Sequence, residues 1–101
     1  MHAIHLAATP DGKQRPVVIL TRDNMVPHFT NLTIAAITST SRTSRTQVPV
    51  GPENGLDHES FVNCDDIHTI PKAKVLHRIG RLTIAQEARL SQAIRTAFDL
   101  L

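Results

Sequence analysis

The chain has 101 residues and a mass of 11.1 kDa, and its 11 basic and 9 acidic side chains give a net charge of +2 with neutral histidines. This length predicts a single domain over residues 1–101 with one modest core. A lone cysteine, Cys64, excludes an internal disulfide, and no apolar run approaches the roughly 20 residues that cross a bilayer. The start, Met1–His5, lacks the charged-then-apolar order of a signal peptide. We therefore expect a cytoplasmic protein.

The N-terminal third indicates two strands joined by a tight turn. Residues 3–8 are apolar, and the following Pro10-Asp11-Gly12 predicts a hairpin, because proline presets φ and glycine accepts a positive φ. The mostly β-branched run 17–20 predicts a strand that is buried on both faces. Residues 21–30 have mixed polarity and predict an irregular segment or one helical turn.

The middle of the chain alternates extended and polar segments. Residues 32–38 predict a strand, and residues 39–46, with six hydroxyls and two arginines, predict a solvated loop. An extended path resumes at 47–50, where Pro49 indicates an edge position or a bulge. The Asn-Gly pair within 51–55 then predicts a turn.

The C-terminal third predicts two further strands around a short helical turn. Residues 60–64 form the first strand, which we expect to end at the acidic pair Asp65-Asp66. Pro71 favours a helical turn over 71–76, with the proline at its first position. In the strand-like segment 77–82, Gly80 indicates a bulge or a close backbone approach.

The last segment predicts an α-helix with one apolar stripe. Thr83 and Gln86 match a capping box at its start. Several short strands with regular turns, closed by one helix, predict an α+β domain on a small barrel-like sheet. The stripe consists of Leu90, Ala93, Ile94, Ala97, Phe98 and Leu101.

Four segments, in order, resemble the toxin subunits of the MazF/PemK family of toxin–antitoxin systems. They are residues 15–20 (RPVVIL), residues 34–39 (IAAITS), the pair Glu59-Ser60 before Phe61-Val62, and residues 79–82 (IGRL) before the terminal helix. The resemblance implies an SH3-like barrel of about five to seven short strands with a C-terminal helix. It also implies a homodimeric endoribonuclease that cuts single-stranded RNA at short sequences without a metal or other cofactor. The products would be a 2′,3′-cyclic phosphate and a 5′-hydroxyl, and a cognate antitoxin would silence the enzyme.

By this resemblance Arg15 and Thr38 act at the scissile phosphate. The chemistry suits them, because a guanidinium binds two phosphate oxygens and stays cationic, and a threonine hydroxyl both donates and accepts. From the residues alone, two local roles stay open. Arg15 can pair with Asp11 or Asp23, and Thr38 can cap a turn at its strand end.

The resemblance places further substrate-binding side chains around this pair. Two precede Arg15, four lie in the hydroxyl-rich loop, and one begins a strand. They are Lys13, Gln14, Ser39, Thr40, Arg42, Arg45 and Ser60. The chain departs from the family pattern because it has no tryptophan or tyrosine on which bases could stack. Recognition would therefore depend on hydrogen bonds and charge.

Six histidines keep a histidine-based acid/base mechanism open. Two of them, His58 and His68, flank the strand that begins at Ser60, and His58 is the first candidate. Scattered surface histidines are the commoner outcome.

Two other functions compete with RNA cleavage. The first is a gyrase-poisoning toxin of the CcdB type, whose members depend on a tryptophan-containing C-terminal tail, whereas this chain ends Phe98-Asp99-Leu100-Leu101. The second is a non-catalytic SH3-like interaction module. For the toxin, we expect the antitoxin to fold a disordered, acidic or apolar tail onto the Arg15/Thr38 groove.

Overall fold

The computed structural model describes residues 2–101, in which six antiparallel strands form one sheet with a C-terminal helix packed against it. The strand order is β4-β5-β3-β2-β1-β6. This architecture confirms the predicted α+β fold. The elements are β1 (Ala3–Ala8), β2 (Gln14–Ile19), β3 (Asn31–Thr38), β4 (Gln47–Val50), β5 (Ser60–Pro71), β6 (Val75–Arg81) and α1 (Ile84–Ala97), with 3-10 turns at Asp23–Met25, Pro52–Asn54 and Lys72–Lys74.

The hairpin between β1 and β2 has the predicted turn. Gly12 has a φ of +82°, which a residue with a Cβ rarely adopts, and the Thr9 N–H donates to the Lys13 carbonyl at 2.9 Å. In the ladder, Ile4 pairs with Val18. The turn therefore sets the register of the strand that carries Arg15.

The sheet buries side chains on both faces. One face, with α1, encloses the larger core, which includes Ile4, Val18, Ile37, Val62 and Leu90. The other face buries a smaller group, which consists of Ala7, Val17, Ile19, Leu32, Ile34 and Ile70. Successive residues of a strand point to opposite faces, so Val17 and Val18 enter different clusters, as predicted for a strand buried on both sides.

Strand β5 is longer than predicted. It runs from Ser60 to Pro71 and so continues through Asp65-Asp66, where the expectation of a strand end was wrong. The pairing with β3 slips between Ala35, opposite Ile67, and Ala36, opposite Asn63. Because this bulge leaves both carboxylates exposed, they do not interrupt the strand. The helical turn that follows is Lys72–Lys74, with Pro71 before it rather than at its first position.

The two edge strands are brought together by a close backbone contact. Pro49 lies on the edge strand β4, as expected. A Cβ on Gly80 of β6 would lie 2.0 Å from the Asn54 carbonyl oxygen, and the Asn54 amide donates to the Arg81 carbonyl at 2.9 Å. Since Asn54 follows β4, these contacts curve the sheet toward closure and confirm the expected close approach at Gly80.

Helix α1 begins at the predicted capping box. The Gln86 N–H donates to the Thr83 hydroxyl at 3.2 Å, and the Thr83 N–H donates to Gln86 Oε1 at 2.9 Å. Leu90 is buried, but Phe98 is 54% exposed, contrary to the predicted stripe. The helix ends at Ala97, so the helical periodicity no longer orients Phe98. No helix within residues 2–101 is long and apolar enough to span a membrane.

Candidate active site

The β1–β2 hairpin holds a carboxylate against Arg15. The Thr9 hydroxyl and the Lys13 N–H donate to Asp11 Oδ1 at 2.5 and 3.1 Å. Arg15 Nε and Nη2 donate to Asp11 Oδ2 at 3.1 and 2.9 Å. The Thr9 hydroxyl, then the Lys13 N–H and Arg15, hold the pKa of the Asp11 carboxyl well below its usual range. Asp11 is therefore a carboxylate at neutral pH.

Arg15 keeps binding capacity beyond this ion pair. Asp11 engages two of its five N–H groups, and 38% of the side chain is exposed. The pairing with Asp11 is one of the local roles that the sequence left open. A guanidinium that already binds one anion in this orientation has the charge and shape to bind a phosphate.

Thr38 lies on the strand next to the one that carries Arg15. Val17 pairs with Ala36, and Arg15 and Thr38 each lie two residues beyond this pair on their own strands. Opposed residues share a face, and so do residues two apart in a strand, so the side chains of Arg15 and Thr38 lie on one side of the sheet. Thr38 is half-buried, and its hydroxyl accepts the Thr40 N–H at 3.2 Å, which is the turn-capping role that the sequence left open. Because it accepts there, its own hydrogen remains able to donate.

A cleft of about 390 Å³ adjoins Arg15 on this face. Its β3 wall is Ala36, and Thr38 follows two residues later, about 7 Å further along the strand. We call this space the Arg15 cleft. It is lined by Thr9, Pro10, Asp11, Arg15, Ala36, Asp66 and His68.

Two residues of the Arg15 cleft, Asp66 and His68, were not among the predicted site residues. His68 Nε2 lies 2.5 Å from Asp66 Oδ1. The expectation that the strand stops at Asp65-Asp66 hid this pair, because only a continuous β5 places His68 beside β3. The first histidine candidate, His58, lies elsewhere.

Part of the hydroxyl-rich loop is held by one buried side chain. Gln47, 3% exposed, accepts the Arg42 N–H at 2.9 Å and donates to the Thr40 carbonyl at 3.2 Å. Ser39, Thr40 and Arg42 are exposed. The loop is less solvated than predicted at its end, because Thr46 is buried and donates to Asp65 at 2.6 Å.

None of the seven predicted binding residues is among those that line the Arg15 cleft, and three of them lie on other parts of the surface or point to another face. Arg45 lines a separate groove with Phe61 and Arg89. Gln14 is exposed and, by strand alternation, points to the opposite face of β2 from Arg15.

The third of these residues, Ser60, is buried, and its hydroxyl donates to the His58 carbonyl at 3.2 Å. Ser60 and His58 line a more apolar cleft of about 410 Å³ with Leu6, Pro16 and His77. Within residues 2–101, no three His, Cys, Asp or Glu side chains are grouped to hold a metal ion.

Comparison with known proteins identifies the family. Residues 4–98 match the family model described as "PemK-like, MazF-like toxin of type II toxin-antitoxin system". The chain belongs to this family. The match spans nearly all of the sequence and confirms the resemblance found in its motifs.

Similar MazF proteins include curated enzymes of Mycobacterium tuberculosis. Endoribonuclease MazF3 is 48% identical over 100 residues, which cover 99% of this chain and 95% of that protein. Probable endoribonuclease MazF2 is 37% identical over 91 residues, which cover 89% of this chain and 85% of that protein.

Solved MazF structures share the fold. The Mycobacterium tuberculosis toxin MazF-mt6 superposes with a TM-score of 0.93 at 48% identity, covering 98% of each chain. An endoribonuclease in complex with its cognate antitoxin, from a Mycobacterial species, superposes with a TM-score of 0.86 at 25% identity, covering 98% of this chain and 93% of that one.

Proposed function

We propose that this MazF-family protein is an endoribonuclease toxin that cuts single-stranded RNA at short recognition sequences. The observation that carries the proposal is the placement of Arg15 and Thr38 on one face of adjacent strands, beside a cleft of about 390 Å³. That volume lies within the range of small-ligand sites. The 48% identity to a curated endoribonuclease supports the activity.

The proposed reaction is attack of the RNA's own 2′-hydroxyl on the adjacent phosphorus. The 2′-oxygen loses its proton and bonds to phosphorus, the bond to the 5′-oxygen breaks, and that oxygen gains a proton. The products are a 2′,3′-cyclic phosphate and a 5′-hydroxyl. Arg15 stabilises the negative charge that grows on the phosphate, and Thr38 donates to a non-bridging oxygen. The reaction uses no metal or other cofactor.

Substrate binding extends beyond this pair in the proposal. Lys13, in the hairpin, and Ser39, Thr40 and Arg42, in the loop after β3, contact the RNA backbone or bases. These side chains are exposed and flank the strand ends that carry Arg15 and Thr38. The placements of Gln14, Arg45 and Ser60 favour no direct contact at the scissile phosphate.

The proposed partners are a second copy of the chain, forming a homodimer, and a cognate antitoxin in the cytoplasm. A related endoribonuclease was solved with its antitoxin, which supports the second partner. The ion pair between Arg15 and Asp11 indicates how the antitoxin binds, because it shows that Arg15 can hold a carboxylate. An acidic antitoxin tail that replaces Asp11 would block the phosphate position.

Incubation of purified protein with mixed-sequence RNA in EDTA tests the proposal. We expect cleavage at a short shared sequence, with 2′,3′-cyclic phosphate and 5′-hydroxyl ends. Cutting that stops in EDTA would contradict the metal-free reaction. Tight RNA binding without cleavage would contradict the proposed enzymatic activity and favour a binding module.

Light scattering tests the proposed homodimer. It should give a mass about twice 11.1 kDa, and the mass of a monomer would contradict the homodimer.

A further inference from the structure

His68 and Asp66 form a side-chain pair within the Arg15 cleft. His68 Nε2 lies 2.5 Å from Asp66 Oδ1, and 36% and 49% of the two side chains are exposed. The β5 bulge brings the pair here, since it displaces Asp66 from regular pairing while His68 stays opposite Ile34 of β3. His68 therefore lies on the same face of the sheet as Ala36 and Thr38 of β3.

The Arg15 cleft needs a group that can take a proton. The proposed reaction begins with proton loss from the 2′-hydroxyl. A guanidinium has no acceptor and stays protonated, and a threonine hydroxyl is a poor base, so neither Arg15 nor Thr38 suits that step. An imidazole is the side chain that ordinarily exchanges a proton near neutral pH.

We propose that His68 is the general base of the RNA cleavage reaction, oriented by Asp66; this inference rests on the proposed endoribonuclease function. An ionised Asp66 only accepts hydrogen bonds, so Nε2 carries the hydrogen of this contact and Nδ1 keeps its lone pair. Nδ1 takes the 2′-hydroxyl proton as the 2′-oxygen bonds to phosphorus. The bond to the 5′-oxygen breaks, that oxygen takes a proton from water, and the imidazolium returns its proton to water.

The charged groups that face His68 come from two elements. Asp66 belongs to β5, and Asp11 and Arg15 belong to the β1–β2 hairpin. The β3 wall contributes the uncharged Ala36, and Asp65 is engaged by Thr46. Of these groups, Asp66 is in direct contact with the imidazole.

Single-turnover cleavage of an RNA that the wild type cuts, measured from about pH 5 to about pH 8, tests the assignment. The wild-type rate should fall on acidification as the imidazole becomes protonated. His68→Gln should lower the rate by about 10²- to 10⁴-fold and remove this acidic fall. Asp66→Asn should lower the rate less than His68→Gln, since an amide oxygen can still accept the Nε2 hydrogen and orient the ring.

Two controls separate catalysis from binding and folding. The same RNA with a 2′-deoxy sugar at the cut position cannot react, so its Kd measures binding alone. If His68 acts only on the proton, the Kd of this RNA for His68→Gln should be within about twofold of its Kd for the wild type. His28→Gln, at an exposed histidine outside the cleft, should leave rate and pH profile unchanged. Thermal unfolding should show His68→Gln to be folded.

The outcomes discriminate between the two proposals. A wild type that cuts RNA, together with a His68→Gln variant that keeps the rate or the acidic fall, overturns the inference alone. A loss that appears wholly as weaker binding of the deoxy RNA also overturns it, and assigns His68 to substrate binding. A wild type that cuts no RNA contradicts the proposed function and this inference together.

Discussion

Arg15 donates to Asp11 through both Nε and Nη2, at 3.1 and 2.9 Å from the same carboxylate oxygen. The other oxygen of Asp11 is bound by Thr9 and Lys13, so this carboxylate links the hairpin turn to the guanidinium. An RNA phosphate at Arg15 must therefore displace Asp11 or share the guanidinium with it. The hairpin therefore fixes the position of Arg15 and also supplies a carboxylate that competes with the RNA phosphate for the guanidinium.

Replacing Arg15 should separate the effects of its charge and its shape. We expect Arg15→Ala to lower the single-turnover rate by about 10²- to 10³-fold, the usual cost of removing one preorganised donor group. Arg15→Lys should fall between Ala and wild type, since lysine keeps the charge but not the two-pronged geometry. Expression of wild type should arrest bacterial growth, and Arg15→Ala should not. Arg95→Ala, exposed on α1, is the control, and equal toxicity of Arg15→Ala and wild type would refute the assignment.

Thr38 offers a matched pair of substitutions. Thr38→Val keeps the shape and removes the hydroxyl, so we expect a rate loss of about 10²- to 10³-fold, whereas Thr38→Ser should retain most activity. Initial rates on a mapped RNA site, with thermal unfolding in parallel, measure both effects. If Val and Ser behave alike, the hydroxyl takes no part in the reaction.

Acidification should reveal the low pKa of Asp11. A carboxyl whose folded pKa is depressed stabilises the fold fully above its unfolded pKa, near 3.8, and loses that contribution as the pH falls toward the folded value. The difference in Tm between wild type and Asp11→Asn should therefore be constant from about pH 5 to about pH 8 and shrink below about pH 4. In an NMR titration, the Asp11 carboxyl should still be ionised near pH 3. A difference that widens on acidification would contradict the hydrogen bonding described.

A methyl group at position 80 should destabilise the protein. Its carbon would lie 2.0 Å from the Asn54 carbonyl oxygen, so the backbone must move. We expect Gly80→Ala to cost about 1–3 kcal/mol of unfolding free energy, or about 4–8 °C in Tm for each kcal/mol. Gly51→Ala is the control, since the nearest atoms there are 3.5 Å away. Similar Tm values for the two variants would mean that β6 does not pack against the Asn54 turn.

Cys64 should resist alkylation in the folded protein. Burial, with a smaller effect of the nearby Asp65 charge, raises the pKa of its thiol to about 11, and only 1% of the residue is exposed. Since the thiolate is the reactive form, iodoacetamide near pH 8 should modify native protein far more slowly than urea-unfolded protein. Equal rates, followed by mass spectrometry, would show that the core around β5 opens readily.

Local sequence patterns predicted the features that depend on neighbouring residues. The turn at Gly12 and the capping box of Thr83 and Gln86 follow from local backbone preferences. Gly80 indicated a close backbone approach, but only the fold shows that the approaching group is Asn54. Four motifs in order, of which residues 15–20 are the first, indicated the family, and that first motif also predicted the strand that carries Arg15. The roles of Arg15 and Thr38 in catalysis stay predictions.

Tertiary structure decided which side chains meet. Strand alternation and one bulge in β5 place Asp66 and His68 in the Arg15 cleft, while Ser60 and His58 line another. Gaining or losing one residue in the pairing of two strands turns the side chains that follow to the other face of the sheet. A local sequence pattern therefore does not determine on which face a side chain lies. The length of the chain and the order of its elements are properties of the sequence, whereas the composition of the cleft depends on long-range pairing between strands.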